Sequence, residues 1–157
     1  MPQETQEFQV SLAETKEEMR EAQALRYQVF VQEMGAQGAL VDHQDGLEKD
    51  RFDPYCDHML VRESATGRLA GVYRLMRSDQ AQSAGGFYSE SEYDHSVLKR
   101  SGRRLLELGR SCLHTDFRGG PALFHLWTGL AEYVHRHEIE ILFGVASFPG
   151  TDVAALA

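Results

Sequence analysis

The stretch Leu105-Leu-Glu-Leu-Gly-Arg-Ser-Cys-Leu113, followed by His114-Thr-Asp-Phe-Arg-Gly-Gly-Pro121, decides how this chain folds. Its first nine residues read as a strand, and a glycine in mid-run, Gly109, suggests a bulge or a close backbone approach there. Gly119-Gly120-Pro121 then opens a helix whose Leu123, Leu126, Trp127, Leu130, Ala131 and Val134 are expected on one core-facing side. A strand that enters a helix through a glycine turn exposes backbone N–H groups at the helix start. Arg118, Gly119 and Gly120 therefore either receive an anion, such as a phosphate or a pantetheine phosphate, or simply make a tight turn.

On the C-terminal side, Ile139-Glu-Ile-Leu-Phe-Gly-Val-Ala-Ser-Phe148 is a mostly apolar strand, the kind that lies deep in a sheet. Pro149-Gly-Thr-Asp152 offers a turn and a helix cap, and Val153–Ala157 begins a further helix, so the chain reads as the N-terminal and central part of one domain, 1–157. On the N-terminal side, His58–Arg62 and Leu69–Met76 form a hairpin around Ser64-Ala-Thr-Gly67, where glycine suits a positive φ. Helical content is expected near Ser89–Lys99. Before the hairpin, residues 35–56 make a long polar connection, and loops of that length are usually functional or disordered. Helical spacing runs from about Thr15 to Met34, with Glu17 and Glu18 in the favourable first turn and Gly35 and Gly38 at its end. A short strand begins at Phe8. The sum is an α+β fold, an α/β/α sandwich with one mixed sheet flanked by helices.

Composition narrows the function. The 157 residues carry 16 Lys+Arg against 24 Asp+Glu, a formal charge of −8, which argues against binding bulk nucleic acid. No run approaches the roughly 18 apolar residues of a membrane span, and no basic, then apolar leader opens the chain, so a cytoplasmic setting is expected. Cys56 and Cys112 allow at most one disulfide. The seven histidines lack metal-ligand spacing and are expected at the surface. No Gly-x-Ser-x-Gly elbow occurs, which disfavours a covalent acyl-enzyme.

Charge inside apolar elements is the more informative signal. Glu107 lies within Leu105, Leu106 and Leu108; such a carboxylate is costly unless paired or used, and desolvation moves it toward the range of a general base. Arg110 would face the opposite side under strict alternation, but a bulge at Gly109 would bring the two together as a pair. Arg26 sits among Leu25, Val29 and Phe30, and Arg74 within Val72-Tyr-Arg-Leu-Met76. Arginines on apolar elements need carboxylate partners, and Asp50 and Asp53 are the candidates.

Four blocks in this order, Leu25-Arg-Tyr-Gln-Val-Phe-Val31, Asp50-Arg-Phe-Asp53, Gly71-Val-Tyr-Arg-Leu75 and Glu107-Leu-Gly-Arg-Ser-Cys-Leu113, resemble acyl-homoserine-lactone synthases. They resemble more closely the ornithine-acyl-carrier-protein N-acyltransferases, also called hemolysin-like. Ala36 and Gly109 stand where autoinducer synthases tend to carry tryptophan and serine, which favours the ornithine enzymes. The resemblance implies an acetyltransferase-like (GNAT-type) fold whose C-terminal strands lie beyond this chain. It also implies transfer of a 3-hydroxyacyl group from acyl-carrier protein to the α-amine of ornithine, the first step to an ornithine lipid. Glu107, with Arg110, would be catalytic. Arg26, Phe30, Asp50, Asp53 and Arg74 would bind the amine substrate. Gly109 and Ser111 would meet the oxyanion, and Arg118, Gly119 and Gly120 the phosphopantetheine. No metal or other cofactor is implied. The expected partners are acyl-carrier protein and ornithine or a similar amine; a lipid product admits peripheral contact with the inner membrane, and an apolar strand edge admits a homodimer. The alternatives are an autoinducer synthase and a non-catalytic carrier-binding module.

Overall fold

The computed structural model describes residues 7–35, 41–91 and 93–144. Strand β1 (Phe8–Leu12) leads into α1 (Lys16–Arg26), capped by Thr15, whose side chain accepts from the Glu18 N–H. The helical path continues to Gly35, but over Tyr27–Glu33 it is π-helical, where the spacing predicted a uniform α-helix. Gly35 ends it at φ +72°. Gly38 and Ala36, and everything expected from Val145 onward, lie outside the described residues.

The connection at 35–56 is more structured than its polarity suggests. It holds a small hairpin, β2 (Val41–Asp42) with β3 (Leu47–Glu48), and a 3-10 turn at Asp53–Tyr55, and it buries Leu47, Glu48, Phe52 and Asp53. Strands β4 (Asp57–Glu63) and β5 (Leu69–Arg77) follow as the expected hairpin, with Gly67 at φ +73° in its turn. Two short helices, α2 (Ser78–Ala84) and α3 (Ser96–Arg100), flank a 3-10 turn at Tyr88–Ser91. Strand β6 (Leu105–Leu113) has the limits read from the sequence; α4 (Ala122–Arg136) and β7 (Ile141–Gly144) close the described chain.

The five-stranded sheet runs β1-β4-β5-β6-β7, antiparallel except for β6 with β7. Beside α4 lie Met59, Val61, Tyr73, Leu75 and Leu106; under α1 lie Leu60, Val72 and Cys112. The α4 face differs from the expected one. Ala122, Leu126, Gly129, Leu130 and Tyr133 are buried, while Leu123 and Trp127 are exposed. Gly129 explains the rotation: a Cβ there would come within 2.5 Å of Val10 Cγ1, so the helix approaches the sheet through this bare position. Strand β7 is not deep in the sheet among the described residues; it is the last strand, and Leu142 is exposed.

Candidate active site

Antiparallel partners share a face of a sheet. Arg74 pairs with Gly109 and Met76 with Glu107, so Arg74 and Glu107 project from the same side, the side that α1 and the 41–56 segment cover. The register then slips. Tyr73 alone stands opposite Arg110 and Ser111, so the bulge lies one residue beyond Gly109. Arg110, not the glycine, takes the left-handed conformation at φ +50°. For a side chain with a Cβ such backbone costs roughly 1–3 kcal/mol and persists only where the surroundings enforce it.

The bulge brings Arg110 to the Glu107 side, but the two do not pair. Glu107, 6% exposed, accepts from the Tyr88 N–H (2.9 Å), the Ser89 N–H (3.0 Å) and the Ser89 hydroxyl (2.5 Å). Three donors from the 88–89 turn therefore meet the carboxylate, where the sequence pointed to Arg110 as its partner. Arg110 instead reaches Glu48, Nε to Oε1 at 3.4 Å, and its Nη2 lies 3.5 Å from the Tyr88 hydroxyl. Its guanidinium also stands over the rings of Tyr88 and Phe30, at 5.3 and 5.8 Å.

Arg26 and Arg74 do find the expected aspartates. Arg26, 1% exposed, grips both Asp53 oxygens, Nη1 to Oδ1 at 3.0 Å and Nη2 to Oδ2 at 2.9 Å; its Nε donates to Glu48 Oε2 at 2.7 Å. Arg74 Nη1 donates to Asp50 Oδ1 (2.7 Å) and to Asp53 Oδ1 (2.9 Å), and Gln23 adds a bond to Asp53. Burial by itself would raise the Asp53 pKa, but the charge and hydrogen bonds of Arg26, with Arg74 and Gln23, hold it far below the usual carboxylate range. With both oxygens occupied by guanidiniums, Asp53 holds the two arginines and has no oxygen to spare for a substrate ammonium. His58 is buried, contrary to the surface expectation. Its Nε2 lies 2.9 Å from the Asp53 carbonyl, and burial pulls its pKa down.

Two buried charged atoms near this cluster have no hydrogen-bond partner among the described residues: Asp50 Oδ2 and Arg110 Nε. Arg74 and Arg110 stand 5.2 and 5.3 Å from the Tyr88 ring centre, so Tyr88 links the two halves of the cluster. Beside it, a cavity of about 570 Å³ is bounded by residues that include Met19, Gln23, Lys49, Asp50, Asp53 and Cys56. Both thiols are free, and burial pushes each up to about 12. Among the described residues no group of three His, Cys, Asp or Glu could hold a metal, and no helix is long and apolar enough to cross a membrane.

The glycine turn lies beyond the end of β6, after a 3-10 turn at Thr115–Phe117. Gly119 has φ +77°, which accounts for one glycine by turn geometry. Arg118 binds the Leu113 carbonyl (3.1 Å) and Glu33 (2.7 Å), and no side chain caps the first turn of α4. Ser111 is exposed at the bulge. Glu48, Tyr88, Ser89 and Gln23 were missed from sequence. Only Glu48, an acid in the segment that holds Asp50 and Asp53, carried any signal.

A bulged strand that enters a helix through a glycine turn, in a mixed sheet with a charged cluster on one face, defines an acetyltransferase-like fold. Residues 25–128 match the acetyltransferase (GNAT) domain family, and the chain belongs to it. It is 54% identical over 154 residues to a Rhodobacter capsulatus protein named L-ornithine N(alpha)-acyltransferase, covering 95% of this chain and 60% of that one. A Brucella abortus protein of the same name is 44% identical over 157 residues, covering 96% and 56%. The chain thus spans little more than half the length of these curated relatives, which bear out the resemblance drawn from the four blocks. Among solved structures, the AHL synthase LasI matches with TM-score 0.63 at 21% identity, over 87% of this chain and 71% of that one. FeeM, an N-acyl amino acid synthase from uncultured soil microbes, matches with TM-score 0.65 at 17% identity, over 88% and 70%. These two likenesses establish the fold.

Proposed function

We propose that this protein is an N-acyltransferase that moves a 3-hydroxyacyl group from the phosphopantetheine thioester of acyl-carrier protein to the α-amine of ornithine. The observation that carries the reading is a pair of buried atoms that make no hydrogen bond among the described residues: Asp50 Oδ2, on a carboxylate that Arg74 holds only through Oδ1, and Arg110 Nε, which faces Glu48 Oε1 at 3.4 Å without bonding it. An α-amino acid brings the complement of both, an ammonium for the carboxylate and a carboxylate for the guanidinium. The names of the relatives supply the particular amino acid.

An α-amine titrates near about 8, so at neutral pH it arrives mostly as ammonium and must lose a proton before it attacks. Glu107 is the base in this reading. An ionised carboxylate offers about four lone-pair sites; three are taken, and the remaining one, on Oε1, takes the ammonium proton directly or through a water. The freed nitrogen attacks the thioester carbonyl to form the C–N bond, backbone N–H groups around Gly109–Ser111 meet the tetrahedral oxyanion, and the C–S bond breaks as the carbonyl re-forms. The thiolate leaves on the carrier and takes up the second proton that the nitrogen sheds as it becomes an amide. The start of α4 at Gly119 and Gly120, with Arg118 beside it, is the place for the phosphopantetheine phosphate. This route calls for no further cofactor.

The test is product analysis with 3-hydroxyacyl-carrier protein and either ornithine or S-adenosylmethionine. Acyl-ornithine is the expected product, formed by wild type and almost abolished in Glu107→Gln. An acyl lactone would assign the chain to the autoinducer synthases, and carrier binding without turnover would make it a docking module.

A further inference from the structure

We propose that Ser89 and His95 form a proton relay that returns Glu107 to its carboxylate form after each acyl transfer; this rests on Glu107 being the base. Glu107 is buried, and Tyr88 and Ser89 N–H groups fix its orientation, so it cannot swing out to shed a proton into water. Those two bonds suffice to hold a carboxylate. The Ser89 side chain adds something else. Its hydroxyl, 2% exposed, lies 2.5 Å from Glu107 Oε2 on one side and 2.6 Å from His95 Nε2 on the other. A hydroxyl has one proton and accepts on its lone pairs, so the three groups stand in series.

The series leads outward. His95 is half-buried, with its ring edge-on to Phe143 at 5.1 Å, and it lines a cavity of about 440 Å³ together with Glu90, Tyr93, Asp94, Ser96 and Lys99. Histidine is the side chain suited to exchanging a proton with solvent near neutral pH.

The protons balance as follows. The ammonium proton resides on Glu107 once the amine is free. A half-turn of the carboxyl about its last torsion brings the protonated oxygen from the Tyr88 side to the Ser89 side, and with the Ser89 hydroxyl turned to His95 the proton passes to the Ser89 oxygen as the proton of that hydroxyl passes to His95 Nε2. The imidazolium so formed releases its Nδ1 proton toward the cavity, leaving carboxylate, hydroxyl and neutral imidazole. One proton enters from the substrate and one leaves to water. Ser89 and His95 touch no substrate atom; they act through Glu107.

The experiment compares His95→Ala, His95→Gln and Glu107→Gln with wild type under saturating donor and amine, with melting temperatures alongside. For both His95 variants kcat is expected to fall at least about tenfold with KM little changed, a part of the roughly 10²–10⁴-fold that general-base catalysis contributes. Added imidazole should restore much of the rate to His95→Ala, whose cavity can admit it. Wild-type kcat in both His95 variants, with Glu107→Gln inactive, would overturn the relay and leave the base standing. A loss that imidazole does not restore, accompanied by raised KM and a lowered melting temperature, would reduce His95 to a structural contact and also overturn it. Activity in Glu107→Gln would remove the base, and the relay with it.

Discussion

At the scale of single residues, Arg74 is the side chain whose loss should be felt most widely. It is 5% exposed and holds Asp50 and Asp53 at once. Arg74→Ala leaves two carboxylates in a buried setting with Arg26 alone to oppose them, and removing one partner of a buried pair costs about 3–5 kcal/mol. Urea denaturation should show a loss of that size. A midpoint equal to wild type would mean that the cluster relaxes into water. Arg74→Lys should rescue poorly, because an ammonium is a point charge without the guanidinium fork. The thiols allow a second prediction. Burial holds both Cys56 and Cys112 near 12, and only the thiolate is nucleophilic, so iodoacetamide at neutral pH should label the folded protein far more slowly than the unfolded chain. Equal labelling rates would contradict that burial.

At the scale of elements, the contact between α4 and the sheet depends on a missing side chain. A Cβ at Gly129 would meet Val10 Cγ1 on edge strand β1 at 2.5 Å and Met59 Sδ at 3.2 Å. Gly129→Ala gains about 1 kcal/mol of helix propensity but must push β1 aside, and overpacking of this kind costs roughly 1–3 kcal/mol. A net loss of stability is expected. Val10→Ala should offset it in the double variant, since residues in contact are not additive. Thermal melts of the two single variants and the double variant decide the matter; strict additivity would show that the helix simply shifts. The β6 bulge is the other element-level device. It adds one residue opposite Tyr73, and that residue turns Arg110 to the side of Glu107, Arg74 and Tyr88.

At the scale of the whole molecule, acid should destabilise the fold in two stages. His58 has a lowered folded pKa, so its contribution is complete above about 6.5, the unfolded value, and is lost as pH falls from there toward the folded one. Asp53 is also lowered, so its contribution is complete above about 3.9 and is lost as pH falls through the acid range below. Both effects have the same sign: the unfolded chain binds protons that the native one refuses. The urea midpoint should therefore decline from pH 7 to pH 5 and more steeply below pH 4. A flat profile down to pH 3 would show that the cluster does not hold Asp53 ionised. The consequences reach across the molecule, because Arg26 comes from α1, Glu48 from β3, Asp53 from the turn before β4 and Arg74 from β5.

The sequence by itself determined the elements and the cast of the cluster. Periodicity located α1, the β4–β5 hairpin, β6 and α4, because side-chain spacing follows from helix and strand geometry alone. Arginines within apolar runs announced buried partners, since burying a lone charge is too costly, and Asp50 and Asp53 answered for Arg26 and Arg74. Tertiary structure decided the rest. Glu48, Ser89 and His95 join the site only because β3 and the 88–95 segment pack over β6, and no local pattern encodes a contact between distant segments. The buried face of α4 was set by the close approach at Gly129 rather than by its largest apolar residues. Whether Glu107 met Arg110 turned on which residue of β6 was the extra one. That is a register, and it is fixed by pairing between strands rather than by either strand alone.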